Sequence, residues 1–317
     1  MPDATTRPRT RTPGLAPLRW LLAPAADPVP RQQAVAAAFL RILLGLMWLY
    51  NVSWKRPPDF GEDTNTGLYK FTAFAVNDPV FPPYSWIVEH AVLPNIEVFG
   101  WGVLIAETAL AVLLLTGAWV RLAALLGIAQ SLAIGLSVAY GPHEWPWAYW
   151  LMIGGHVVIL FSSAGRVFAV DAVRSRTGSA RGLGLVWGAV AVIAGAVTVA
   201  GTAGDDPLDP RGYVLGSSDP SLSLGAYNLV GGLVLLVGGA LVLVATLGRL
   251  AFLGWAAAVV GVGAALSLYA QIGFTEPSLG GNATSAAFLL TLAVVAGTVA
   301  AAPGRAWPGQ ASPSPRD

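Results

Sequence analysis

The chain has 317 residues, 55% of them apolar and 11% charged, where a soluble domain carries roughly 25% charged residues, so an ordinary water-facing surface is excluded. No cysteine is present, which excludes disulfides, thiolate nucleophiles, iron–sulfur clusters and Cys-ligated zinc, and three histidines (His90, His143, His156) give no basis for a metal site. The net charge of +1 excludes nothing, but it conceals a strong asymmetry along the chain.

Residues 1–32 are rich in Pro, Arg and Ala. Prolines at 8, 13, 17, 24, 28 and 30 oppose regular helix, so a disordered cytoplasmic tail is expected. The first long apolar run begins only at Ala34 and carries Arg41, so it reads as an uncleaved anchor rather than a signal peptide. Eight runs near 34–52, 96–118, 122–140, 147–165, 183–202, 226–247, 250–271 and 285–302 are long enough to span. At ~1.5 Å per residue each covers most or all of a ~30 Å bilayer core. The expected fold is therefore an all-α integral membrane protein of eight transmembrane helices.

Orientation follows from the basic residues, which accumulate in cytoplasmic loops. Arg7, Arg9, Arg11, Arg19, Arg31, Arg121, Arg166, Arg174, Arg176, Arg181, Arg249, Arg305 and Arg316 fall on one side of the predicted spans. Lys55, Arg56, Lys70 and Arg211 fall on the other, with most of the carboxylates. Both termini are thus expected in the cytoplasm. The spans divide into a four-helix domain over 33–172, a cytoplasmic linker over 173–182, and a second four-helix unit over 183–303. A disordered cytoplasmic tail is expected over 304–317. Two long outer loops, 53–95 and 203–225, join spans on the far side. Trp54, Trp86, Trp101, Trp145, Trp147 and Trp150 fall near the outer boundary, where indole rings form interfacial belts. The two halves share a layout of span, long loop, tight Arg-bearing turn and terminal Gly-Arg, the arrangement of an internal repeat, although their side chains hardly match.

An ionisable residue within a span is costly and points to function. Only the first half has any: Arg41 in the first span, Glu107 in the second and His156 in the fourth, with Gln130 and Ser131 in the third. Counting residues at ~1.5 Å each places Arg41, Gln130, Glu107 and His156 in a band about 10 Å deep, as an interior site would require. Two plainer readings stand beside it: Arg41 and Glu107 as a structural ion pair, and His156 as an ordinary core histidine. The spans of the second half hold no Asp, Glu, Lys, Arg or His, and carry glycines that let helices approach closely. That half reads as scaffold. His143-Glu144-Trp145-Pro146-Trp147 begins like a zincin helix but lacks the second His, and Pro146 would break the helix. No glycine pattern supports nucleotide binding, and the basic tail is too sparse to indicate nucleic acid. Asn51-Val52-Ser53 and Asn282-Ala283-Thr284 match glycosylation acceptors at a chance frequency.

The segment from Leu40 to Asp171 resembles the DoxX/DoxD superfamily of four-helix membrane proteins. The matching features are Arg41 in Leu40-Arg41-Ile42-Leu43-Leu44-Gly45, and Lys55 followed by Pro57-Pro58. Glu107 in Ala106-Glu107-Thr108 then leads to the Gly117 and Arg121 turn, and Ala164-Gly165-Arg166-Val167-Phe168-Ala169-Val170-Asp171 closes the segment. DoxD-type members are associated with thiosulfate:quinone oxidoreductase, in which electrons pass from thiosulfate to membrane quinone and tetrathionate forms. The resemblance implies a bacterial inner-membrane protein, a subunit of a quinone-linked oxidoreductase. Glu107, His156 and Arg41 are then the expected catalytic residues, with quinone held by Gln130 and Trp48. Lys55 and Arg56, expected at the outer interface, would meet an anionic sulfur substrate. No metal or nucleotide is expected. Since no protein-bound redox centre is legible, quinone or a redox partner subunit would carry the electrons. A non-enzymatic scaffold that recruits a redox or envelope partner remains open, as does a small-molecule transporter, although no proline interrupts the spans as a broken-helix transporter would require.

Overall fold

Each of the eight apolar runs is a helix. The computed structural model describes residues 15–217, 222–272 and 277–302. A short α1 (Ala16–Leu22) precedes the first long helix, α2 (Arg31–Asn51). Then follow α3 (Gly67–Asn77), α4 (Pro82–Ile87), α5 (Ile96–Thr116), α6 (Val120–Val138), α7 (Pro146–Phe161), α8 (Val170–Arg174) and α9 (Ala180–Gly201). A hairpin of β1 (Tyr213–Ser217) and β2 (Leu222–Tyr227) leads to α10 (Leu229–Gly248), α11 (Ala251–Gln271) and α12 (Ala283–Ala301). Among the described residues, seven helical runs are long and apolar enough to cross a membrane; α7, with 16 residues, is shorter. The chain is a multi-pass helical membrane protein.

Local chemistry explains the boundaries. Gly117 ends α5 in the left-handed conformation at φ 65°, open at low cost only to a residue without Cβ. The Asn228 side chain accepts the Gly231 N–H at 2.9 Å and starts α10. Asn282 and Ser285 form a reciprocal capping box at the start of α12, so the second of the two glycosylation-like motifs serves the fold. The run Pro82–Thr116 is helical over 35 residues, ~50 Å at the α-helical rise and longer than a ~30 Å core. A π turn at Val88–Val92 and a 3-10 turn at Leu93–Asn95 interrupt it. Pro94, which has no N–H to donate, marks the break, and α4 with the π turn packs against α3.

The helices pack as pairs: α2 on α5, α6 on α7, α9 on α10, and α11 on α12. In the second half the glycines do what their size permits. A Cβ on Gly239 of α10 would stand 2.8 Å from the Val192 nitrogen of α9 and 2.9 Å from the Gly188 oxygen, so the two backbones are in direct contact. The most enclosed long helix, α12, packs against α11, α9, α5 and α2 and joins the two halves. Thr284 Oγ1 donates to the Leu49 carbonyl at 2.8 Å across that joint.

Three expectations need correction. Residues 15–32 are not a disordered tail: α1 is helical, and Ala25 and Ala26 are buried. Proline blocks a long helix there, but an extended strap satisfies its backbone elsewhere. The segment 53–95 is not simply a loop, because α3 packs on α6. Nor is the fold purely helical: residues 203–225 contain most of the β1–β2 hairpin, antiparallel with a bulge between Val214 and Gly216. Its backbone polar groups pair with one another and, at Ala226, with the Ser285 hydroxyl. Residues 1–14 and the tail expected over 304–317 lie outside the described residues.

Candidate functional site

The first and second spans are neighbours, as expected, and run antiparallel, so residue 41 lies level with 114 and residue 51 with 107. This register separates Arg41 from Glu107. Asn51 lies ten residues on from Arg41, ~15 Å along α2. The band of four polar residues therefore resolves into three levels.

At the lowest level Arg41 is fully buried and donates to four backbone carbonyls. Nη1 reaches Leu114 O at 2.6 Å and Leu115 O at 3.3 Å; Nη2 reaches Phe168 O at 3.0 Å and Val167 O at 3.2 Å. Two of these, Leu114 and Leu115, are carbonyls of the last turn of α5, where the helix ends and acceptors are left over; Leu114 O also takes the Gly117 N–H. Beside it, Asp171 accepts the N–H groups of Trp119 and Val120 at the start of α6, the N–H of Ala25 in the strap, and the Arg174 guanidinium at 2.7 Å. Arg121 pairs with Asp27 at 2.8 Å, and Arg166 donates to the Asp27 carbonyl. These contacts hold the strap against the arginine-rich end.

One level higher, His156 Nε2 accepts from Trp48 Nε1 at 3.0 Å, and Nδ1 lies 2.7 Å from the Met152 carbonyl. Both nitrogens are used, and this pairing requires the neutral ring with its proton on Nδ1. Gly127 of α6 leaves the space that the ring fills. Both Trp48 and His156 are wholly buried, so the plainer reading of His156 as a core histidine fits its surroundings.

The third level opens onto a cavity of about 1180 Å³ between α2, α3, α5, α6 and α7. Glu107 stands in its wall, 1% exposed, with Oε2 at 2.6 Å from Lys55 Nζ. Its Oε1 accepts from Asn51 Nδ2 at 3.0 Å and, more weakly, from Gln130 Nε2 at 3.4 Å. Lys55 also donates to the Asn51 carbonyl at 2.8 Å and lies over the Trp54 ring, 3.5 Å from its centroid. Lys55, expected to meet an anionic substrate at the outer interface, is instead 1% exposed and turned onto Glu107. The chain turns inward after α2 through the 3-10 turn Val52–Trp54, and an enclosed carboxylate attracts the nearest cation. Arg56 is exposed and does not line the cavity. Nor do Arg41, Trp48 and His156.

The remaining wall is largely apolar, with a second polar patch. Tyr84 OH lies 2.9 Å from Ser137 Oγ, and Tyr149 OH donates to Glu144. Gln130 and Ser137 are seven residues apart on one face of α6, so the two patches lie ~10 Å apart along that helix. Sequence reasoning missed Asn51, Tyr84, Glu144 and Tyr149. Asn51 lay at the predicted end of a span, four residues before Lys55 and therefore one helical turn away. The others were hidden in segments read as loop or aromatic belt. The second half contributes Leu222 to the lining, and it also holds α5 from outside the cavity, where Tyr269 OH lies 2.7 Å from the Thr108 hydroxyl.

These features define a class: a multi-pass membrane protein with a half-open, mainly apolar cavity between its helices, carrying a buried carboxylate–ammonium pair. No family model, curated protein or solved structure matches the chain.

Proposed function

We propose that the protein is the membrane subunit of a quinone-linked oxidoreductase of the DoxX/DoxD type, similar to thiosulfate:quinone oxidoreductase, and that the Glu107 cavity receives the quinone headgroup. In this reading eight helices cross the bacterial inner membrane, with α7 as the short eighth span and both termini cytoplasmic. The observation that carries the reading is the chemistry of the cavity wall. A quinone is an apolar ring with two carbonyl acceptors, and the cavity offers an apolar wall with polar groups at two separated patches: the Asn51 and Gln130 amides, each with a second hydrogen to donate, at one, and the Tyr84–Ser137 and Tyr149–Glu144 pairs at the other. A bound quinone would supply two-electron redox chemistry that takes up two protons on reduction. Glu107 is the group placed to hold and pass a proton, and Lys55 balances its charge until a ligand arrives. Asn51 fixes the orientation of both. With no cysteine and no legible redox centre, electrons come from the substrate directly or from a partner subunit.

The test is purification in mild detergent, followed by thiosulfate-dependent quinone reduction and extraction of co-purifying quinone. Activity that falls sharply in Glu107→Gln, with the protein still accumulating in the membrane, supports the reading. Wild-type protein that neither retains quinone nor reduces it overturns it. One observation favours a non-enzymatic scaffold instead: both terminal nitrogens of Arg41 and both ring nitrogens of His156 are engaged in holding helices together. On that reading Glu107→Gln alters stability alone.

A further inference from the structure

A second hollow, a groove of about 450 Å³, lies between α2, α9 and the hairpin. Leu46, Ile193, Val197, Leu215, Leu222 and Leu224 contribute to its wall, and Ser223 gives the one side-chain hydroxyl among the described lining residues. Ile193 and Val197 are 63% and 44% exposed on the outer surface of α9, where an apolar helix face meets lipid. Two features connect this groove to the Glu107 cavity. Leu222, the first residue of β2, lines both. On α2, Leu46 lines the groove and Tyr50 lines the cavity, one helical turn apart on the same face.

A polar-patched chamber that adjoins a lipid-facing apolar trough at Leu222 fits a ligand with a ring at one end and a long hydrocarbon chain at the other. We infer that the groove holds the isoprenoid tail of the quinone whose headgroup sits beside Glu107, with Leu222 at the junction. The inference rests on the headgroup reading above and extends it: the second half of the chain, through α9 and the hairpin, takes part in binding the tail. It also gives the hairpin a task, since β2 closes the trough from one side. The groove is too apolar to recognise a charged group, so its contribution is burial of methylene and methyl groups.

The experiment uses two quinones with one headgroup, one bearing a single isoprene unit and one bearing many. Binding of each is measured to the wild-type protein and to Val197→Trp, Ile193→Trp and Val197→Ala in mild detergent. Both tryptophans replace residues on an exposed helix face, so the fold has room for them, and each fills the trough. Comparing each ligand with itself across the variants cancels its partitioning into the micelle. The expected result is that Val197→Trp and Ile193→Trp weaken the long-chain quinone about tenfold or more while the single-unit quinone binds as before. Val197→Ala, which leaves the trough open, should change neither by as much. Loss of both ligands in equal measure, or of neither, overturns the inference and leaves the groove to the acyl chains of ordinary lipid. Failure of both quinones to bind the wild-type protein overturns the headgroup reading itself, and this inference with it.

Discussion

A carboxylate enclosed among helices requires a cation close by, and the chain offers Glu107 two candidates. Arg41 is the more conspicuous in the sequence because it lies inside a span, yet it is consumed by the carbonyls of Leu114, Leu115, Val167 and Phe168. Lys55, just beyond the end of α2, makes the pair instead. The distinction has measurable consequences. Lys55→Met leaves Glu107 buried without its partner and should destabilise the protein by about 3–5 kcal/mol. Adding Glu107→Gln to Lys55→Met should recover part of that loss, because the two residues share one interaction. By contrast, the Arg41→Gln and Glu107→Gln effects should add, since the register places the two residues at different depths. Chemical or thermal denaturation of the single and double variants in detergent measures all of these. Recovery in the Arg41 double variant, with none in the Lys55 double variant, would contradict the pairing.

At the level of elements, the positions of the long helices were legible in the sequence to within a few residues and the supporting devices were not. The length of the apolar runs located α2, α5, α6 and α9 to α12, because a membrane helix must satisfy its backbone internally and needs ~20 apolar residues to cross the core. The same criterion extended the fourth span to residue 165. The helix stops at Phe161 because Ser162 is already extended and Gly165 donates its N–H to Ala25. The strap of residues 15–30 was illegible for a similar reason. It is held by single polar contacts from distant residues, Asp171, Arg121 and Arg166, and no local periodicity records those. Depth counted along separate helices placed Arg41, His156 and Glu107 together, but residue counts carry no information about rotation or register. Asp171 is the hub of the strap, since it accepts three backbone N–H groups and an Arg. Asp171→Ala should cost about 2 kcal/mol or more, as loss of a helix cap and a charged acceptor. It should also release the strap, so that trypsin cleaves after Arg19 faster than in the wild type. An unchanged cleavage rate at Arg19 would show that Asp171 does not hold the strap.

For the whole molecule, α12 makes the two halves interdependent. It packs on α5 and α2 while belonging in sequence to the second half, and the Thr284–Leu49 and Thr108–Tyr269 hydrogen bonds cross the joint. Residues 15–178 expressed without α9 to α12 should therefore fail to accumulate in the membrane, as a Western blot of the membrane fraction would record. Accumulation at the full-length level would show that the first half stands alone. The proposed orientation makes an equally definite statement: reporter fusions after Arg176 and after Arg249 should read cytoplasmic, and one inserted near Asp206 external. The central claim is that the Glu107 cavity takes a quinone headgroup, and photolabelling tests it most directly. A quinone with a photoreactive group on its ring, irradiated with the purified protein, should label peptides of α5 and α6 that include Glu107 and Gln130. Excess unmodified quinone should abolish the label, and Glu107→Gln should weaken it. Labelling confined to lipid-facing helix surfaces, and undiminished by competitor, would contradict the account.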